Sequence, residues 1–180
     1  MAYEIETKVL DIDTGKIKEK LVSLGAVKKQ ETRLSVDWYQ VKGEKEGGAN
    51  WFLRIRSNSE GKHEVTWKAK SVAVGISKQQ EEINFLIAEP EKIADLFGKL
   101  GLEKYAHQEK DRTSFVLKDW LIEIDQYPGM PPFLEIEGKS EEHIKEAIKL
   151  LGLEGNRTWP KGERILIQEV YGLDWYHMKF

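Results

Sequence analysis

Apolar and polar residues alternate with a period of two along most of the chain, which is the pattern of β-strands that bury one face. Each of roughly eight such segments sets an apolar face against a charged one. Shorter segments repeat apolar residues with a period near 3.6, which predicts helices between the strands. We therefore expect mainly antiparallel strands, over residues 3–10, 26–41, 51–57, 62–70, 78–87, 104–117, 120–127 and 132–137.

Three predicted helices have recognisable ends. Asp13 and Ser140 are side-chain caps that begin the first and third helices, and Pro90 suits the first turn of the second. Gly25 and Gly101 follow the last apolar positions of the first two helices, where a residue in the left-handed conformation commonly ends a helix. The aromatic-rich tail, residues 163–180, is a further candidate for helix.

Turn residues separate the predicted strands. The Gly47-Gly48 pair predicts the turn before residues 51–57, residues 58–61 predict a hairpin turn, and Pro128-Gly129 separates the last two strands. The chain has no Pro- or Gly-rich stretch long enough to be a linker. Its 180 residues therefore fit a single domain spanning residues 1–180.

Composition narrows the classes of function. Charged residues make up 33% of the chain, more than a plain core and surface require, yet the formal net charge is only -3. A nucleic-acid partner held by a strongly basic field is therefore not expected. Because cysteine is absent, any metal must bind oxygen or imidazole. No apolar run approaches the ~20 residues of a membrane span, so we expect a cytoplasmic protein.

The charges on the strands are sorted by sign. The middle strands supply most of the basic side chains and the terminal strands most of the acidic ones, whereas a charged face in water usually mixes signs. The plainer alternative is an antiparallel sheet with its charged side in water. If the sheet closes instead, the acidic pairs suit Mg²⁺ or Mn²⁺ and the basic side chains suit a chain of phosphates. The basic set is Arg54, Arg56, Lys68, Lys110 and Arg112, and the acidic set is Glu4, Glu6, Asp125, Glu135 and Glu137.

The motifs that carry these charges resemble the CYTH superfamily, the triphosphate tunnel metalloenzymes, which include class IV adenylyl cyclases, thiamine triphosphatases and inorganic triphosphatases. The resemblance spans residues 3–137 and follows the family order through EIETK, LRIR, TWK, KDR and FLEIE. Together with the sorted charges it predicts an α+β fold. The expected architecture is a closed or nearly closed antiparallel eight-stranded β-barrel, the triphosphate tunnel, with amphipathic helices packed outside.

The resemblance also implies roles for individual residues. Mg²⁺ or Mn²⁺ is expected on Glu4, Glu6, Glu135 and Glu137, with Asp125 a further candidate ligand. Phosphate is expected on Lys8, Arg54, Arg56, Lys68, Lys110 and Arg112. The chain departs from the family where Arg-x-Glu-x-Glu is replaced by QEEIN over residues 80–84, which keeps only the central acid, Glu82. Residues 171–176 match the family's closing motif loosely, and no site residue is assigned there.

Three activities fit this set of residues. The preferred hypothesis is metal-dependent hydrolysis of inorganic triphosphate or of an organic triphosphate such as thiamine triphosphate or a nucleotide, with Glu82 and Asp125 as candidate general bases. The alternatives are a class IV adenylyl cyclase that converts ATP to cyclic AMP and pyrophosphate, and a binding protein without turnover. The expected partner is a small-molecule triphosphate, with neither nucleic acid nor membrane. Whether the chain forms a homodimer is left open.

Overall fold

The computed structural model describes residues 2–44 and 49–180, so the turn predicted at Gly47-Gly48 lies outside the described residues. All eight predicted strands are present, with ends no more than two residues from the expected ones. In chain order the strands are β1 (Ala2–Val9), β2 (Val27–Val41), β3 (Trp51–Asn58), β4 (His63–Ala69), β5 (Val72–Val74), β6 (Ser77–Ile87), β7 (Leu102–Leu117), β8 (Trp120–Gln126), β9 (Phe133–Gly138), β10 (Thr158–Trp159) and β11 (His177–Met178).

Eight of these strands close into an antiparallel barrel. Neighbours pair in the order β1, β9, β8, β7, β2, β3, β4 and β6, and β6 pairs with β1 to complete the circuit. Closure satisfies the backbone N–H and C=O groups that the edges of an open sheet would leave unpaired. The predicted fold is thus confirmed. The short strands β5, β10 and β11 were not expected, because two or three residues are too few to show an alternation.

The predicted helices are confirmed as α1 (Thr14–Ser23), α2 (Pro90–Lys99) and α3 (Glu141–Leu151). The side chain of Asp13 accepts a hydrogen bond from the backbone N–H of Lys16 at 3.1 Å, and Ser140 accepts one from His143 at 3.2 Å. These caps satisfy backbone donors that have no partner inside a helix. No helix in the described part of the chain is long and apolar enough to cross a membrane.

Helices α1 and α3 pack on the apolar outer face of the barrel. Ile17 and Leu21 of α1 and Ile144 and Ile148 of α3 are buried with outward-facing strand residues such as Ile122. Burying one such aliphatic side chain contributes about 1.5–3 kcal/mol. This face of the barrel therefore holds the main hydrophobic core, and the opposite faces of the same strands are free to be polar.

The outer cover is incomplete over β6. Helix α2 places Phe97 against Tyr39, with ring centroids 5.1 Å apart, and extends an apolar cluster over β3 and β4. Ile83 and Phe85 of β6 nevertheless remain 54% exposed. The sequence predicted helices packed outside the barrel, and they cover this part of its apolar face only partly.

The C-terminal residues 163–178 close one end of the barrel, and we call them the plug. The plug begins as a short helix, α4 (Glu163–Ile165), which continues as a π-helix over Leu166–Val170. Leu166 and Ile167 are fully buried in a cluster with Tyr127 and Phe133. Phe133 lies opposite Asp125 in the register of β8 and β9, and therefore on the inner face. The helix expected in this tail is present in its first part.

Candidate functional site

The charged faces of the strands turn into the barrel. The register places Lys8 opposite Glu135 and Arg112 opposite Asp125, and residues opposite each other share a face of the sheet. Because the other face carries the helices, these side chains line the interior. The cations of the strands there are Lys8, Arg54, Arg56, Lys68, Lys78, Lys110 and Arg112, and the acids are Glu4, Glu6, Glu64, Glu82, Glu123, Asp125, Glu135 and Glu137.

Near the plug, Lys8 joins the acids of two neighbouring strands. Its Nζ lies 2.7 Å from a carboxylate oxygen of Glu6 on β1 and 3.1 Å from one of Glu135 on β9. The Lys8 side chain is 1% exposed, so water cannot supply these interactions. Burial by itself would raise the pKa of Glu6, but Lys78 and Lys8 outweigh burial and lower it to about 2. Glu6 is therefore ionised at physiological pH.

Asp125 is a fully buried carboxylate that holds two cations. Its oxygens accept from Arg112 Nε and Nη2, each at 2.6 Å, and one of them also accepts from Lys110 Nζ at 2.7 Å. Arg112 also contacts Glu123, and Glu123 accepts from Ser114 at 2.7 Å. Buried charges persist when they are paired and hydrogen-bonded in this way. Asp125 thus fixes the orientation of both cations.

Lys110 has a second acid, and it comes from the plug. Glu163 accepts from Lys110 Nζ at 2.7 Å through one oxygen and from the hydroxyl of Tyr127 at 2.6 Å through the other. Burial raises the pKa of Tyr127, and so does the negative charge of Glu163 beside it. The plug therefore contributes a charged side chain to the interior as well as apolar packing.

A further set of ion pairs lies on β1, β4 and β6. Lys68 Nζ is 2.8 Å from Glu4 and 2.5 Å from Glu82, and the amide of Gln80 donates to Glu4 at 2.8 Å. Burial and the nearby Arg54 would lower the pKa of Lys68, but the surrounding acids outweigh them and raise it. Lys68 therefore stays charged in spite of being buried.

Residues 80–84, which depart from the family pattern, lie on β6, and the inner face of this strand still carries a basic side chain. Lys78, two residues before Gln80 on the same face of β6, lies 2.9 Å from Glu6. Two residues beyond Glu82, the amide of Asn84 donates to that acid at 2.8 Å. The inner face of β6 therefore keeps a basic residue, Lys78, two residues before position 80, where the family pattern has arginine.

Arg54 and Arg56 lie two residues apart on β3 but have different surroundings. Arg56 is paired with Glu64 at 2.8 Å. Arg54 is 9% exposed, its Nε has no hydrogen-bond partner, and it makes no ion pair with the residues that the structure describes. Its guanidinium lies 5.5 Å from the ring centroid of Trp38, a contact that leaves N–H groups at its edge available. Arg54 is therefore a buried cation that can accept an anionic ligand.

Exposure of the interior side chains indicates the direction of access. Asp125 and Lys8, near the plug, have 0% and 1% of their side chains exposed. Arg56 and Glu64 have 23% and 21% exposed. A ligand would therefore enter from the end that carries Arg56 and Glu64, and the plug would form the blind end.

Carboxylates are crowded where β1 meets β9. Glu6 lies opposite Glu137 in the register, and Glu137 has no ion-pair partner among the described residues. Burial, followed by repulsion from Glu4 and Glu6, raises the pKa of Glu137 to about 7. The neighbouring Glu135 has a pKa of about 2, because Lys8 and Arg112 outweigh both burial and Glu6. Two acids on one strand thus differ in pKa, because only one of them has cations beside it.

The structure brings the residues predicted from the sequence together inside the barrel. Their carboxylates form two groups. Glu6, Glu135 and Glu137 lie at adjoining positions of β1 and β9, whereas Glu4 is drawn towards Lys68. Carboxylate oxygens of Asp125, Glu135 and Glu163 also lie within 4.8 Å of one another. The assigned metal, phosphate and general-base roles stay predictions. The residues in question are Glu4, Glu6, Glu135 and Glu137 for metal, Lys8, Arg54, Arg56, Lys68, Lys110 and Arg112 for phosphate, and Glu82 and Asp125 for proton transfer.

Four interior residues were missed from the sequence as site residues. Glu123 lies two positions, and Lys78 and Glu64 lie four positions, from an assigned residue on the same strand face, so the alternation already contained the signal for them. Glu163 belongs to no barrel strand, and its place beside Lys110 follows from how the plug folds back. No periodicity in the sequence pointed to it.

Comparison with known proteins agrees with this geometry. Residues 2–158 match the CYTH domain. The chain is 34% identical over 149 residues to "Putative adenylate cyclase MJ0240" of Methanocaldococcus jannaschii, an alignment that covers 82% of this chain and 83% of that protein. The CYTH domain match includes all eight barrel strands.

Two solved structures share the fold at low sequence identity. A protein from Vibrio parahaemolyticus superposes with a TM-score of 0.78 at 12% identity, covering 92% of this chain and 98% of that one. A protein from Hippeastrum, described as having a dominant triphosphatase activity, superposes with a TM-score of 0.70 at 15% identity, covering 93% and 96%. At these identities the likeness establishes the architecture. With its tunnel-like charged barrel and a domain match over most of its length, the chain belongs to the CYTH domain family.

Proposed function

We propose that the protein hydrolyses the terminal phosphoanhydride of a small-molecule triphosphate, either inorganic triphosphate or an organic one such as thiamine triphosphate or a nucleotide. The observation that carries this proposal is Arg54, a buried guanidinium with no carboxylate partner among the described residues. A buried charge without a partner is costly, so its presence favours an anionic ligand. Phosphate oxygens suit a guanidinium because they can accept two parallel N–H···O bonds.

The charge of the interior supports a requirement for divalent metal. Acids outnumber cations among the described inward-facing side chains, so a polyanion would be repelled unless cations entered with it. Glu4, Glu6, Glu135 and Glu137 would hold Mg²⁺ or Mn²⁺, which prefer carboxylate oxygens. The raised pKa of Glu137, caused by burial and by its acidic neighbours, fits this assignment. A cation among these oxygens would offset their repulsion.

The side chains of the protein would position the reacting groups. A bound metal ion would neutralise phosphate oxygens and lower the pKa of a bound water. Lys8, Arg54, Arg56, Lys68, Lys110 and Arg112 would hold the phosphates through charge-assisted hydrogen bonds. Asp125 would orient Lys110 and Arg112, because both of its oxygens already accept from these cations. Glu82 would accept the proton of water: although burial opposes it, Lys68 lowers the pKa of Glu82, so the carboxylate is ionised and can act as a base.

An adenylyl cyclase is the second candidate. The similarity to a relative named as a putative adenylate cyclase favours it. The same cations would hold ATP, and the ribose 3′ oxygen would replace water as the nucleophile while pyrophosphate leaves. The two reactions therefore differ in their products, and these decide between them.

One assay separates the activities. Purified protein is incubated with Mg²⁺ or Mn²⁺ and, separately, with tripolyphosphate, thiamine triphosphate and ATP, and the products are quantified. We expect orthophosphate from at least one triphosphate. Cyclic AMP together with pyrophosphate from ATP would establish the cyclase instead, and tight binding without any product would contradict both enzymes.

Two variants test the carboxylate assignment. Glu4→Gln and Glu6→Gln should each reduce turnover to background, because a neutral amide is a poor replacement for an anionic metal ligand. Glu60→Gln removes the same charge from an exposed turn residue and should leave turnover unchanged. Full activity in the Glu4 and Glu6 variants would contradict the metal site.

A further inference from the structure

Glu163 is an acid from outside the barrel that reaches into its blind end. It is the first residue of α4, and the two residues that follow this short helix, Leu166 and Ile167, are fully buried. This packing holds the start of the plug against the barrel. The Glu163 side chain is only 17% exposed as a result.

Both oxygens of Glu163 have fixed partners. One accepts from Lys110 Nζ and the other from the hydroxyl of Tyr127, at 2.7 and 2.6 Å. The two bonds act on different atoms, so they define the direction of the carboxylate as well as its position. The Lys110 ammonium is therefore held from the side of the plug.

Lys110 is consequently shared between two carboxylates. Asp125 on the barrel wall accepts from the same Nζ at 2.7 Å. Lys110 and the nearby Arg112 together contact four acids, Asp125, Glu163, Glu123 and Glu135, and the Lys110 side chain is only 3% exposed. An incoming phosphate would find two of the three ammonium donors already used and would meet net negative charge. This site repels a bare polyanion although it contains a lysine.

A divalent cation would reverse that balance. Oxygens of Asp125, Glu135 and Glu163 lie within 4.8 Å of one another, so positive charge that entered with a triphosphate would be close to all three acids. Resting on the proposed triphosphate function, we propose that Glu163 is a positioning residue, an internal counter-anion of Lys110 that makes triphosphate binding depend on a divalent cation. Removing its charge should weaken that dependence.

The test compares tripolyphosphate binding with and without metal. Isothermal titration measures the Kd of wild-type protein and Glu163→Gln in EDTA and again in Mg²⁺. Glutamine can still accept from Lys110 through its carbonyl oxygen and can donate its amide N–H to the hydroxyl oxygen of Tyr127, but it carries no charge. We expect the variant to bind metal-free tripolyphosphate at least tenfold more tightly than wild type, which is about 1.4 kcal/mol. The ratio of Kd values between EDTA and Mg²⁺ should shrink accordingly.

The plug itself supplies a matched control. Glu169→Gln makes the same change in charge on the π-helix, at a side chain that is 62% exposed. It should behave as wild type in both conditions. A gain in metal-free affinity in this variant equal to that of Glu163→Gln would overturn the proposal, because the effect would then come from net charge alone.

A second variant covers the case in which Glu163→Gln does not fold, which a circular dichroism melt would show. Tyr127→Phe removes one of the two bonds that direct Glu163 and leaves its charge in place. It should raise metal-free affinity in the same direction by a smaller factor, at least threefold. An unchanged Kd in EDTA for whichever variant folds would overturn the proposal.

The outcomes also distinguish this proposal from the proposed function. If wild-type protein binds and hydrolyses triphosphate in Mg²⁺ but the variants keep its metal dependence, only the role of Glu163 is overturned. If wild-type protein neither binds nor hydrolyses any triphosphate in Mg²⁺, the function is overturned and the role of Glu163 with it.

Discussion

Adjacent residues of β7 form the same kind of ion pair on the two sides of the barrel wall. Asp111 faces outward and accepts from Arg33 at 2.7 and 2.9 Å, with both side chains nearly half exposed. Arg112 faces inward and donates to Asp125 at 2.6 Å through each of two nitrogens, with both side chains buried. The two pairs have almost the same geometry in very different surroundings.

The difference shows how burial sets the role of a charge pair. Water can replace either partner of the outer pair, and exposed pairs of this kind contribute about 0–1 kcal/mol. The inner pair is part of a network that also contains Lys110, and water cannot replace its members. Charges kept inside at such a cost are more easily explained by a ligand than by stability. Three experiments would break or sharpen this comparison.

The largest effect is expected from neutralising the buried acid. Asp125→Asn would leave Arg112 and Lys110 short of an acceptor inside the barrel, and breaking a buried pair typically costs about 3–5 kcal/mol. Asp111→Asn makes the same change on the outer face and should cost less than about 1 kcal/mol. Urea unfolding of the two variants measures both values. Equal losses would show that the two faces do not differ as described.

A smaller effect, on affinity, is expected at Arg54, which has no carboxylate partner within residues 2–44 and 49–180. Arg54→Met should weaken tripolyphosphate binding in Mg²⁺ by roughly 10- to 100-fold, in line with hydrogen bonds to charged groups worth about 1.5–3 kcal/mol. Its stability should not fall, because the substitution removes a buried charge that has no counter-ion in the part of the chain that the structure describes. Arg33→Met on the outer surface is the control and should retain wild-type affinity. Wild-type binding by Arg54→Met would contradict the ligand assignment.

The smallest effect is a pH-dependent change in stability at Glu137. Its pKa of about 7 in the folded protein lies above the ordinary value of 4.5, so the folded state holds a proton that the unfolded chain releases. Stability from this group is therefore complete below about pH 4.5 and is lost as the pH rises through about 7. In EDTA, Glu137→Gln should melt a few degrees above wild type at pH 8 and level with it at pH 4.5.

An exposed acid provides the control for that pH series. Glu154→Gln, after α3, should follow the wild-type melting curve at both pH values. A wild-type melting temperature at pH 8 for Glu137→Gln would mean that the crowding of acids at β1 and β9 is relieved in some other way. Restoring Mg²⁺ should narrow the difference between wild type and Glu137→Gln, since bound metal offsets the repulsion.

Most of the barrel could be predicted because its strands are long enough to show their alternation. β2 and β7, with 15 and 16 residues, repeat the pattern many times, whereas β10 and β11 have two residues each and show none. The helix ends could also be predicted, because a capping side chain such as Asp13 accepts a hydrogen bond from a backbone N–H only three residues away. Strand alternation and helix caps involve residues that are close in the chain, so they can be recognised without knowing the tertiary structure.

The candidate site was predictable only in part. The alternation groups Glu6 with Lys8 and Arg112 with Lys110, because residues two apart on a strand share a face. It does not say that Lys8 lies between Glu6 and Glu135, or that Arg54 has no carboxylate partner among the described residues while Arg56 has one. Those facts depend on the register and shear of the closed barrel, which long-range pairing determines.

The sequence alone determined which residues share a strand face, where the helices begin, and that acids and bases are sorted by sign. Tertiary structure decided which face is enclosed, which charges meet, and that Glu163 of the plug reaches Lys110, 53 residues away along the chain. The physical reason is the separation along the chain over which each interaction acts. Backbone geometry and capping act between near neighbours, whereas burial and Coulomb interaction act between groups that only the closed barrel brings together.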